Sequence, residues 1–124
     1  MSVNNKPKYT LFKNASYALD GLVHAVKNET SFKLELIVAL IIFPVIYLLP
    51  FVLIYKLVLV ITYFIIMIAE LLNSAVENVV DLVTTEIHPL AKAAKDIGAT
   101  AVLFSVTLHI ICWLLIGLNY LDLF

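Results

Sequence analysis

The sequence predicts an all-α membrane protein: an amphipathic helix on the membrane surface, then three transmembrane helices, all within one domain spanning residues 1–124. Three observations predict it. Hydrophobic residues make up 63% of the chain and charged residues 14%, against roughly 45–50% and 25% in soluble domains. So small a domain has a large surface, and this chain lacks the polar residues to cover it. Three runs are free of charge, Leu36–Tyr55, Leu57–Ala69 and Ile97–Leu121. The lysines are segregated, seven flanking one side of these runs and Lys56 alone the other. A net charge of −1 argues against a nucleic-acid partner, and the single cysteine excludes a disulfide framework.

The elements follow in order. Leu11, Phe12, Ala15, Leu19, Leu22, Val23 and Val26 recur at helical spacing, with Lys13, Asn14, Asp20, His24 and Lys27 opposite. That pattern predicts a surface helix over about 8–28, too polar to span. The first span is expected over about 34–49, kinked at Pro44 and closed by Pro50, because a helix tends to end before a proline. A second span runs over about 52–80, with Lys56 snorkelling near its start. A loop with a short helix opened by Pro89 fills about 82–96, and the third span covers about 97–117, with Trp113 and Tyr120 as interfacial anchors. The lysine bias orients the N-terminus and the 82–96 loop to the cytoplasm and the C-terminus outside. The first apolar run begins too late for a signal peptide.

Acidic residues appear where a membrane tolerates them least. In Glu70-Leu-Leu-Asn-Ser-Ala-Val-Glu-Asn-Val-Val-Asp81, a turn of about 100° per residue places Glu77 and Asp81 within about 20° of Glu70. Asn73 and Ser74 flank the same line, and Leu72, Val76, Val79 and Val83 form an apolar opposite face. An acid inside a bilayer costs several kcal/mol or about that, so it is generally paired, metal-bound or neutralised. An acid at a helix end can also simply reach water, which suits Asp81. A stripe of three points instead to a divalent cation or to a desolvated general base.

Two further clusters lie at the same end of the spans. Asn28-Glu29-Thr30-Ser31-Phe32-Lys33-Leu34-Glu35 precedes the first, with Glu29 and Glu35 expected at the interface and at about the depth of Glu77. Glu86-Ile-His88-Pro-Leu-Ala-Lys92-Ala-Ala-Lys95-Asp96 precedes the third. Each alone reads as solvated charge. Together they assemble acids for Mg²⁺, lysines for phosphate and an acid as base, the parts of phosphoryl transfer. No Walker A, G-x-G-x-x-G or protein-kinase motif is present. His109, Cys112 and His24 read as packing or solvated residues. Three thin helices cannot enclose a charged pocket, which argues for an obligate oligomer.

At these residues the sequence resembles the small prokaryotic diacylglycerol kinases. Residues 70–81 fit the family signature E-x-x-N-[ST]-A-[IV]-E-x-x-[VI]-D, and Tyr17, Gly21-Leu22, Asn28-Glu29, Phe32, His88 and Ala94-Lys95-Asp96-Ile-Gly98 match further blocks over about 10–115. The resemblance implies a homotrimeric helical bundle in the bacterial inner membrane that transfers the ATP γ-phosphate to a lipid hydroxyl. It implies Glu70 as general base with Asn73 supporting it, and Glu29 and Glu77 as ligands of the Mg²⁺ carried by ATP. Tyr17, Glu86, His88, Lys95 and Asp96 would complete the ATP site. Ser31, Phe32, Glu35, Glu70, Ala99 and Trp113 would contact the lipid. Thr10 stands where many relatives carry Arg at the ATP site, and Ala99 where they often carry Ser.

Two lipid classes occur in the family. Asn73-Ser74 and the N-terminal half resemble the diacylglycerol kinases; His88-Pro-Leu-Ala is closer to the undecaprenol kinases. Diacylglycerol, converted to phosphatidic acid, is the expected substrate. Two other readings use Glu70 differently. A small proton-coupled exporter needs only one buried glutamate per subunit, and a structural subunit of a larger complex needs none.

Overall fold

A computed structural model describes residues 10–123. Among these residues the chain forms four helices and no strand: α1 Leu11–Asn28, α2 Thr30–Leu48, α3 Leu53–Val83 and α4 Pro89–Tyr120. The last three are long and apolar enough to cross a membrane. Lys6 and Lys8 lie outside the described residues.

Each junction has a local cause. α1 and α2 are separated only by Glu29, whose backbone is extended. Asn28 folds its side-chain amide back onto the last turn of α1, donating to the His24 carbonyl at 2.9 Å. α2 continues through Pro44 and ends at the Leu49–Val52 turn around Pro50. There Lys56 donates to the Tyr47 carbonyl at 2.6 Å, so its charge covers the exposed end of α2. His88 caps α4, its Nδ1 accepting from the Leu90 N–H at 3.2 Å, and Pro89 occupies the first helical turn, where a missing N–H does no harm.

Two boundaries differ from the sequence reading. The short helix after Pro89 and the third span are one helix of 32 residues; Ala91, Ala93 and Ala94 favour helix, and Lys95-Asp96 gives no reason to stop. α2 starts at Thr30 rather than 34. Glu35 therefore lies in its second turn, deeper than the interface position expected of it.

α3 and α4 form the most extensive interface, antiparallel, with α2 against α3 and α1 against the start of α2. Thr62 meets His109 and Tyr55 meets Asn119 along that pair. The apolar core lies toward the end remote from most lysines. Ile46, Leu59 and Ile116 are fully or nearly buried there, with Ala39, Tyr63 and Ile66 next to them. Outside it most apolar side chains remain exposed, including Leu11, Phe12 and Leu19 on α1. Such faces are stable against lipid or another subunit.

The depth of the acids follows from α3 itself. From Lys56 to Glu77 the helix rises about 31 Å, the thickness of a bilayer's hydrocarbon core. Those two charges are therefore one hydrocarbon core apart along α3, and Glu70 lies about 10 Å from Glu77 toward Lys56.

Candidate active site

Glu70 is 7% exposed, held between α3 and the start of α2. The Ser31 hydroxyl on α2 lies beside its carboxyl. Glu77 and Glu29 both act on it electrostatically, as Glu70 does on Glu35. One Glu35 carboxylate oxygen is buried without a hydrogen-bond partner, while the Tyr63 hydroxyl donates to the Glu35 backbone carbonyl at 2.6 Å. Four acids from α2, α3 and the α1–α2 junction thus share one region at the lysine-rich end.

Two of these acids are oriented by amides. Asn73 donates to Glu77 Oε1 at 3.0 Å, and Asn78 donates to Glu29 Oε1 at 3.2 Å. Asn73 thus orients Glu77, four residues along; Glu70, the carboxylate the family resemblance pairs it with, is three residues back on the same side of the helix, and the side-chain conformation selects Glu77. Its other atom, Oδ1, is buried without a partner. In each acid the second carboxylate oxygen is left for something else. Two carboxylates, with no cluster of three His, Cys, Asp or Glu among the described residues, make no complete cage. They suit Mg²⁺, which binds through one or two carboxylates and completes its shell with phosphates and water. A cavity of about 340 Å³ opens beside Glu29 between α1 and α3, lined by Gly21, Leu22, His24, Glu29, Ser74 and Asn78.

The cations and the remaining acids gather one turn farther along. Lys95 donates to Asp81 at 2.5 Å, which brings the start of α4 to within one helical turn of Glu77. Lys92 pairs with Asp96. A second cavity of about 310 Å³ is lined by Asp81, Glu86, His88, Lys92 and Lys95. Glu86 and His88 are exposed at its edge.

Other candidates lie elsewhere. Thr10 caps α1 without a side-chain hydrogen bond and is exposed; along the helix it is about 28 Å from Glu29. Tyr17, half exposed, is about 18 Å away by the same measure. Phe32 is 1% exposed, a core residue in this chain. Ala99 is exposed on α4. Trp113 lies toward the far end, about 18 Å from the level of Glu70. Its indole donates to His109 at 2.9 Å.

Sequence reasoning missed Asn78 and the Asp81–Lys95 pair, and had Ser74 only as a member of the polar stripe. Asn78 occupies a variable position of the signature, yet it lies one residue from Glu77 and on the face turned to α1. His24, placed on the solvated face of α1, lines the cavity beside Glu29.

Comparison with known proteins bears on this arrangement. The family model described as prokaryotic diacylglycerol kinase matches residues 16–117. A diacylglycerol kinase of Haemophilus influenzae is 39% identical over 103 residues, 83% of this chain and 87% of the relative. That of Escherichia coli K12 is 35% identical over 111 residues, covering 89% and 91%, and that of Pseudomonas aeruginosa 34% over 97 residues, covering 78% and 79%.

Proposed function

Because the chain belongs to the prokaryotic diacylglycerol kinase family, we propose that it transfers the γ-phosphoryl group of ATP to the hydroxyl of diacylglycerol, giving phosphatidic acid, with Glu70 as general base. The observation that carries this reading is the placement of Glu70: nine-tenths buried, beside the Ser31 hydroxyl, with Glu29 and Glu77 nearby. Diacylglycerol carries no charged headgroup, so its hydroxyl can sink below the phosphate layer to the depth of this acid.

The roles divide by depth. Glu70 accepts the proton of the attacking hydroxyl, with Ser31 and Glu35 positioning that end of the lipid. Of the other lipid candidates, Ala99 is exposed on α4 and open to the lipid, whereas Phe32 is a core residue and Trp113 lies in the hydrogen-bonded cluster toward the far end, so neither is assigned a contact with the reacting hydroxyl. Glu29 and Glu77, oriented by Asn78 and Asn73, would hold Mg²⁺; when bound, that ion neutralises charge on the nucleotide phosphates. Lys95 adds a further positive charge once a phosphate draws it from Asp81. Glu86, His88 and Asp96 complete the nucleotide site; Tyr17, about 18 Å from Glu29 along α1, is left out of it. Thr10 cannot supply the bidentate contact that an Arg makes with phosphate. About 10 Å of helix rise separates Glu70 from Glu77 along α3, which puts the two proposed roles at different levels of the site.

The lysine bias supports a cytoplasmic location for this end, where ATP is available, with the C-terminus on the other side of the inner membrane. A homotrimer, as the family resemblance implies, would cover apolar faces that one chain leaves open.

The test is phosphorylation of diacylglycerol and undecaprenol, side by side, by the purified protein in detergent micelles with Mg·ATP. Preferential labelling of diacylglycerol is expected. Equal or greater labelling of undecaprenol overturns the substrate assignment. Labelling of neither lipid overturns the kinase reading and returns the buried glutamate to a proton-coupled exporter.

A further inference from the structure

Gly98 lies inside α4, where glycine is disfavoured relative to alanine. Its backbone does not require it, since no glycine here has a positive φ. Space does. A Cβ at Gly98 would fall on Asn73 Oδ1, with Asn73 Cγ at 3.3 Å, whereas a Cβ at Gly21 or Gly117 would meet nothing within 4 Å. The atom in the way is the far end of a side chain; the Asn73 backbone, at 3.7 Å, is at ordinary contact distance. A methyl group at 98 would therefore move the Asn73 amide and leave the two helices where they are.

That amide has little freedom to move. Its Nδ2 donates to Glu77 Oε1 at 3.0 Å, and its Oδ1 is buried with no partner. Turning the amide over would satisfy neither end: the oxygen would face the Glu77 carboxylate and repel it. The amide is fixed one way up by Glu77 and given its place by the absence of a side chain at 98.

We infer that Gly98 is a positioning residue for the kinase reaction: its missing side chain seats Asn73, and Asn73 aims the Glu77 carboxylate at the metal carried by the nucleotide. The inference rests on the proposed role of Glu77 and adds to it a residue on a different helix. Loss of a partner that orients a metal ligand typically weakens metal binding by about 10- to 100-fold.

The experiment is a double-mutant cycle on the full-length protein in micelles, with wild type, Gly98→Ala, Asn73→Ala and the double variant. Binding of Mn²⁺·ATP, with Mn²⁺ standing in for Mg²⁺, is followed by electron paramagnetic resonance, and lipid phosphorylation and thermal unfolding are measured alongside. Gly98→Ala is expected to weaken Mn²⁺·ATP binding roughly tenfold with little change in unfolding temperature. In the Asn73→Ala background, where the conflict in space is gone, the same substitution should have no further effect. A wild-type affinity in Gly98→Ala, or an undiminished loss in the double variant, overturns the inference and leaves the function standing. Wild-type protein that neither binds Mn²⁺·ATP nor phosphorylates lipid overturns both. Should Gly98→Ala fail to fold, the double variant must fold; its failure also overturns the proposal.

Discussion

Two polar clusters lie along α3, and they are finished to different degrees. Toward the far end, Trp113 donates to His109 Nε2 at 2.9 Å, and His109 Nδ1 lies 2.7 Å from Thr62 Oγ1. Indole N–H can only donate, so the ring proton sits on Nδ1, which donates to Thr62 Oγ1, whose own hydroxyl donates to the Val58 carbonyl at 2.9 Å. Each of these contacts closes on another. At the lysine-rich end, Asn73 Oδ1 and Glu35 Oε2 are buried with no partner, and Glu70 shares its surroundings with three other acids. A buried polar group left without a partner is expensive, more so away from water. A chain able to complete one network and leaving the other open is holding the second for a ligand. The closed cluster joins helices; the open one is where the proposed function puts the nucleotide and the lipid.

Glu70→Gln gives the largest expected effect and the most direct way to break this contrast. It keeps the shape of the side chain and removes the base, so turnover should fall by roughly 10²–10⁴-fold while Mn²⁺·ATP binding persists. Lipid phosphorylation and nucleotide binding, measured on the same preparation, check it. Parallel losses of binding and turnover would make Glu70 a metal ligand and erase the division between it and Glu77.

Next in size is Asn78→Ala, which removes the amide that donates to Glu29. The effect should fall on nucleotide affinity, with Mn²⁺·ATP binding weaker by about tenfold and turnover at saturating Mg·ATP largely retained. A fall in turnover without a change in affinity would show that Glu29 serves the lipid rather than the metal.

The four helices were legible in the sequence because each rests on a strong local signal: an amphipathic period, a charge-free run, or a proline. The stripe from Glu70 to Asp81 was legible for a similar reason, since helical spacing alone aligns those residues. What the sequence did not give away depends on packing between helices. The partner of Asn73 had to be chosen between Glu70 and Glu77, three and four residues away, and only the side-chain conformation chooses. The reach of Asn78 across to Glu29, the pairing of Lys95 with Asp81 and the fit of Asn73 against Gly98 each join segments distant in the chain. The level of Glu35 also depends on packing: its carbonyl accepts from Tyr63 and its side chain lies near Glu70, on the Lys56 side of Glu77 along α3.

His109→Leu tests the closed cluster. It strips the Trp113 N–H of its acceptor but leaves Thr62 bonded to the Val58 carbonyl. Hydrogen bonds between membrane helices contribute about 0.6–1.7 kcal/mol, so a loss of stability near 1 kcal/mol is expected in unfolding measurements in mixed micelles. Lipid phosphorylation per folded molecule should not change. A selective loss of activity at unchanged stability would mean that Trp113, held by His109, acts on the lipid, and a completed network would then no longer mark structure alone.

Lys92→Ala sets the lower bound of the comparison, because the Lys92–Asp96 pair is satisfied but both side chains are largely exposed, at 74% and 62%. In water the Coulomb gain is small, salt screens it, and two long side chains must be held still to keep it, so pairs spaced i,i+4 on a helix contribute about 0.3–0.5 kcal/mol. The substitution also places a better helix former in the first turns of α4, which offsets part of that loss. No resolvable shift in unfolding is therefore expected, at low or high salt. A destabilisation as large as that of His109→Leu, and insensitive to salt, would mean that the start of α4 is shielded from water in the assembled protein, and that the Lys92–Asp96 pair belongs with the buried clusters rather than with the surface.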